Sequence, residues 1–215
     1  LPNILKFIRR KYKWNHHTDS GMETGSISKK AKSSEFLQQG NQLLKSSKVA
    51  EAEEAFQAAI EHNPESFDGY AGLAKIAMAH KNWHKALNYW NTCFEMQPDN
   101  YPVSWILNKA NVCFALGAID DANALFTEYS DKKPDKPWGY AGLAQIASTQ
   151  GNWSTALNYL NKCFELRPKS PPGNWELKKE EALLALRRLE DAEAYNAEYV
   201  QKHAEDVNGH IALAR

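Results

Sequence analysis

The sequence holds no apolar run long enough to cross a bilayer, which excludes a helical membrane span. It has only 3 cysteines, Cys93, Cys113 and Cys163, and no Cys-x-x-Cys pair. A disulfide framework and a zinc knuckle are thereby excluded, and the sparse thiols suit a reducing, cytoplasmic compartment. There is no excess of either charge: 26 basic residues face 26 acidic ones, which argues against a nucleic-acid binder. Phosphate-cradling glycine loops, a Gly-x-Ser-x-Gly elbow and a His-Glu-x-x-His helix are all missing. No cofactor, metal or enzymatic activity is therefore expected of these residues.

What is present is repetition. Lys81 to Pro98 reads KNWHKALNYWNTCFEMQP, and Gly151 to Pro168 reads GNWSTALNYLNKCFELRP. The flanks agree at the same offset, GYAGLAKIA from Gly69 and GYAGLAQIA from Gly139. Proline gives the finer period, because Pro64, Pro98, Pro134 and Pro168 each follow an apolar-patterned run and cannot continue a helix. Before each stands an alanine with a bulky residue four positions later: Ala52/Phe56, Ala86/Trp90, Ala122/Phe126 and Ala156/Leu160. Three positions further on, Ala59, Cys93, Tyr129 and Cys163 complete the stripe of a buried helix face.

A second apolar segment precedes each of these helices, separated from it by a tight turn. The pattern predicts an all-α chain of helix-turn-helix units starting near Ser33, Phe67, Val103, Pro137, Gly173 and Val207. The spacing alternates between about 34 and 36 residues, as duplication of a two-unit block would give. Residues 1–32 read as a basic extension and linker, 33–206 as the repeats, and 207–215 as the start of a further one. The last unit ends with Ile211 and Leu213 facing no partner helix, which predicts that the natural protein continues beyond Arg215.

On these residues the chain resembles the tetratricopeptide repeat family. The motif positions are Gly40, Ala52, Phe56, Ala59 and Pro64, then Tyr70, Leu73, Ala74, Ala86, Trp90 and Pro98. They recur at Ala110, Ala122, Phe126 and Pro134, and at Tyr140, Leu143, Ala144, Gly151, Ala156 and Pro168. The fifth unit departs, with Asn196 in the bulky slot and Ala204 in place of proline. The resemblance implies a right-handed α-solenoid acting as a non-catalytic protein-interaction scaffold. In the family the first helix of each pair lines a concave groove that takes a peptide or helix. Carried over, that groove would hold Gln38, Asn41, Lys45, Asp68, Lys75, Met78, Asn108, Asn111, Phe114, Trp138, Gln145, Ser148, Lys178, Glu181 and Arg215. Leu37 and Ala71 stand where the family's carboxylate-clamping lysines would be needed, which argues against that clamp.

Two further roles compete with the scaffold. The chain could be the targeting arm of a larger enzyme, such as a glycosyltransferase or another surface-polysaccharide enzyme, with its catalytic part beyond Arg215. Exposed end faces could also stack copy on copy. The leader carries 8 basic and 2 acidic residues, and its opening LPNILKFIRRKYKW mixes Phe7, Ile8, Tyr12 and Trp14 with that charge. Residues 1–14 are thus a candidate for peripheral membrane contact or for docking on a protein surface, and 15–28 read as a Gly/Ser-containing linker.

The remaining chemistry-bearing residues read as structural. His16 and His17 fall in the linker, while His80 and His84 flank a turn and belong on the surface. Cys93 and Cys163 occupy an inward slot and Cys113 sits on a first helix, and all three read as buried structural cysteines. Glu53/Glu54 and Glu180/Glu181 read as solvated helix faces. Trp83, Trp153 and Trp90 belong to the core, and Trp105 and Trp175 are expected half-buried. Trp138 stands where other units carry Ser34, Asp68, Ser104 and Asn174. It is either a packing partner of Pro137 or an exposed anchor for a partner.

Overall fold

The computed structural model describes residues 20–97, 99–167, 169, 171–186 and 189–202. The leader at 1–14, the His16–His17 pair, Ala204, the segment 207–215 and Arg215 lie outside the described residues. Ten α-helices and no strand occur among those described. They are α1 (Ser20–Lys45), α2 (Val49–His62), α3 (Phe67–Ala79), α4 (Trp83–Met96) and α5 (Val103–Ala115). There follow α6 (Ile119–Lys132), α7 (Trp138–Thr149), α8 (Trp153–Leu166), α9 (Gly173–Ala185) and α10 (Leu189–Lys202). The class is that of stacked helix-turn-helix repeats. The second helices α2, α4, α6 and α8 each stop two residues before Pro64, Pro98, Pro134 and Pro168, as the proline period predicts.

Among the described residues, four hairpin turns share one motif. Ser47, Lys81, Gly117 and Gly151 have φ of 59, 57, 76 and 74°, the left-handed region. The next N–H reaches back five residues: Lys48 to Leu43 O, Asn82 to Ala77 O, Ala118 to Cys113 O and Asn152 to Ala147 O, at 2.8–2.9 Å. This is a Schellman closure, which satisfies carbonyls that the end of a first helix would otherwise leave bare. At Asn82 the same residue also caps the next helix, its Oδ1 accepting from Lys85 N–H at 3.3 Å.

The chain divides into two compact units, residues 1–72 and 73–215. In the first, α1 packs along α2. Phe56 of α2 is fully buried, and a side chain placed on either Gly40 or Gly72 would strike its ring, at 2.8 and 2.6 Å. The two glycines therefore let two first helices close over one phenylalanine. Ser33 lies inside this unit and donates its hydroxyl to Ala59 O at 2.8 Å. The composition-based boundary near Ser33 needs correcting, because α1 reaches back to Ser20, through residues read above as linker.

In the second unit each helix packs on its neighbours in sequence from α5 to α10. Core clusters draw on adjoining hairpins: Ala110, Cys113 and Ala122 with Phe126, Leu143 and Ile146, then Ala144, Leu160 and Cys163 with Trp175. A single hairpin could not bury such a face alone. The two-unit block seen in the sequence has a packing cause. Gly139 on α7 faces Ser130, and its equivalent on α9, Trp175, meets Phe164 with ring centroids 6.4 Å apart. On α5 the equivalent Trp105 likewise meets Phe94 at 6.0 Å. Glycine faces Ser130, and at Gly69 Ile60, whereas tryptophan faces Phe94 or Phe164, so the contact alternates between two kinds and a pair of units is what repeats.

Three expectations about side chains change. Trp105 and Trp175 are buried rather than half-buried. Trp83 and Trp153 are half-buried rather than core. Glu180 is 3% exposed, not solvated, whereas Glu181 is exposed. Cys93, Cys113 and Cys163 are buried thiols in no disulfide, and His80 and His84 are on the surface.

Candidate functional site

The first helices α5, α7 and α9 of the second unit border a surface concavity of about 240 Å³. Leu107 and Asn111 reach it from α5; Trp138, Ala141, Gly142 and Gln145 from α7; Pro172, Asn174, Trp175 and Lys178 from α9 and the loop before it. Its floor is low because α7 presents only Ala141 and Gly142 there. The helical period brings Trp138, Ala141, Gly142 and Gln145 to one face, since they are three or four residues apart.

Trp138 dominates one wall. It is 38% exposed, which is unusual for so large an apolar side chain among the described residues. Its ring meets the buried Trp175 edge-on, with centroids 5.6 Å apart. The Arg167 guanidinium lies 5.4 Å from the centre of the Trp138 ring. These contacts hold the indole in one place while leaving part of it open. Of the two readings given for Trp138, the structure supplies an exposed ring braced by Trp175.

Polar groups surround it. Asn111, Asn174 and Gln145 each offer both a donor and an acceptor, and Lys178 offers an ammonium group. Among the described residues, no carboxylate lines the concavity. Among the described residues, no His, Cys, Asp and Glu cluster is arranged to hold a metal ion.

The residues expected in a groove are thus partly gathered and partly scattered. Asn111, Trp138, Gln145 and Lys178 come together here. Gln38, Asn41 and Lys45 are exposed on α1, in the first unit. Asp68 and Lys75 are exposed on α3. Met78 is already engaged, its sulfur accepting from the Trp90 indole N–H at 3.4 Å. Phe114 packs on the Phe126 cluster, Asn108 is half-buried, and Glu181 is exposed on α9 outside the concavity's lining. The Ser148 hydroxyl is turned back to Ala144 O at 2.9 Å.

Sequence reasoning missed Leu107, Ala141, Gly142, Pro172, Asn174 and Trp175. Asn174 is the unit-to-unit equivalent of Trp138, so register alone would have found it. The two small residues carry no side-chain signal, because what they contribute is space.

The tetratricopeptide repeat family model matches residues 37–92. No curated protein matches the sequence. Among solved structures, Pseudomonas aeruginosa PilF is similar at TM-score 0.69 and 16% identity, covering 86% of this chain and 82% of that one. YrrB, a TPR protein with an unusual peptide-binding site, is similar at 0.67 and 10% identity, over 84% and 91% of the two chains. MamA from Desulfovibrio magneticus is similar at 0.72 and 10% identity, over 81% and 97%. Residues 37–92 thus match the tetratricopeptide repeat model, and the fold is similar to that of solved tetratricopeptide repeat proteins.

Proposed function

We propose that the chain is a non-catalytic docking module that binds an extended peptide or helix of a protein partner across α5, α7 and α9. The observation that carries this is the exposed Trp138, fixed by Trp175 and bordered by Asn111, Gln145 and Lys178. A rigid, half-open indole is the kind of side chain on which interface energy concentrates. The amides beside it can each pair with both the N–H and the C=O of a peptide backbone. YrrB, whose fold is similar, is itself described as having a peptide-binding site, which supports the reading.

The size of the concavity agrees. At about 240 Å³ it is below the roughly 300–1,000 Å³ of small-molecule pockets, so it suits one or two side chains of a longer ligand. The test is selection of a random-sequence peptide display library on the full chain. Binders should emerge, and amide chemical-shift changes on titration should centre on Asn111, Trp138 and Gln145. Trp138→Ala should abolish them. Selection of no binder, or a map centred elsewhere, would refute the proposal.

A further inference from the structure

Resting on that reading of the groove, the geometry points to its ligand's chemistry: an acidic peptide segment, with a carboxylate side chain next to an apolar or aromatic one. Two cations frame the exposed indole. Lys178 lines the concavity, and Arg167 stands over the Trp138 ring. Among the described residues no Asp or Glu forms an ion pair with either, and none lines the groove.

That local sign is not inherited from the surroundings. Residues 73–215 carry 16 basic and 17 acidic side chains, so the unit as a whole is close to neutral. A cationic groove in a neutral unit selects for a complementary partner and against a basic one. An arginine already stacked on an aromatic ring keeps its outer N–H groups for a carboxylate, whose two oxygens suit its fork. The Trp138 face then takes the neighbouring apolar side chain, and the amides of Asn111 and Gln145 take the backbone between.

Single-stranded nucleic acid also pairs cations with aromatic faces. It is the weaker match here. A phosphate chain needs a track of cations, whereas this groove offers one lysine in its lining and several neutral amides suited to peptide groups.

Sequencing the binders from the display selection supplies the first arm of the test. Enrichment of Asp or Glu beside an aromatic or aliphatic residue is the expected result. For one such synthetic peptide, Lys178→Glu and Arg167→Glu should each weaken binding by roughly tenfold, and added salt should weaken it further. A charge-swapped peptide, with Lys for Glu, should regain affinity for the Lys178→Glu variant. Helical circular dichroism of both variants checks that they fold, and Lys178→Met gives a gentler version.

Binders with neutral or basic sequences, unaffected by Lys178→Glu, would overturn this inference while leaving the peptide groove in place. Tight binding of oligo-deoxythymidine that is lost in the same variants would overturn it too, and would name the other ligand. Failure to select any peptide would remove the groove itself.

Discussion

The ring of Phe126 stands where a side chain on Gly142 would have to be. One residue lies on α6 and the other on α7, so this contact sets how closely two successive hairpins approach. Gly142→Ala forces the ring off its position or the helices apart. Overpacking of this kind costs about 1–3 kcal/mol. For a chain of this length the melting temperature should fall about 2–4 °C per kcal/mol. Phe126→Leu removes ring atoms from the contested space, so the double variant should lose less than the two single losses combined. Strict additivity in urea denaturation would show that the two residues do not press on each other.

The four hairpin turns offer a comparison within one chain. Gly117 and Gly151 take the left-handed conformation freely, whereas Ser47 and Lys81 take it against a steric cost of about 1–2 kcal/mol. Gly151→Ala should therefore lower stability by about 1 kcal/mol, since space is open around it and only the backbone objects. Lys81→Gly relieves the strain but frees the unfolded chain, and the two effects leave a net gain of a few tenths of a kcal/mol. The check is the urea midpoint of each variant. A loss on Lys81→Gly as large as that on Gly151→Ala would contradict the shared motif.

Helix ends and the buried stripe were legible in the sequence because proline and the alanine-to-bulky spacing report directly on backbone and packing. The N-terminal reach of α1 was not. Lys29, Lys30, Ala31 and Lys32 are all exposed, so that stretch has no apolar face for periodicity to reveal. Glu180 misled for a different reason. Its charge suggested solvent, yet it occupies the slot that Ala74, Ala110 and Ala144 fill in the other units, all fully buried. Register outweighs residue type there. In the groove, Asn111, Trp138, Gln145 and Lys178 were expected only through the family resemblance, whereas the hollow made by Ala141 and Gly142 is visible only once the helices are in place.

Alkali should destabilise this fold before it affects the charge of surface lysines. Burial pushes the Cys163 thiol up to about 12 from 9.0, and burial raises Cys113 and Tyr129 as well. Tyr195 is raised by burial first and by the neighbouring Glu176 next. Each group is an acid held neutral in the fold, so its contribution is intact below the unfolded value. It is lost progressively as the unfolded chain alone ionises, from pH 9.0 for the thiols and 10.0 for the tyrosines. Urea midpoints should be flat near neutrality and fall above about pH 9. Cys163→Ala should make that fall shallower. Native protein should react with a thiol reagent only at the rate of unfolding, and fast reaction at neutral pH would contradict the burial.

Lys179 tests which of two opposed effects governs the last described hairpin. Its ammonium lies 4.6 Å from the Tyr195 ring centre and 5.2 Å from that of Phe164, joining α8, α9 and α10. Burial lowers its pKa, so desolvation works against the charge, while Glu198 works for it. The side chain is only half-buried, which limits the desolvation cost, and both rings are within the range where a cation is attracted to a π face. The attraction should win. Lys179→Met keeps the apolar stem and removes only the charge, so it should lose about 0.5–2 kcal/mol. The loss should be local, read as faster amide exchange in Leu189–Lys202 and little change in α5 to α7. Slower exchange in that helix would mean that burying the ammonium costs more than the two rings return.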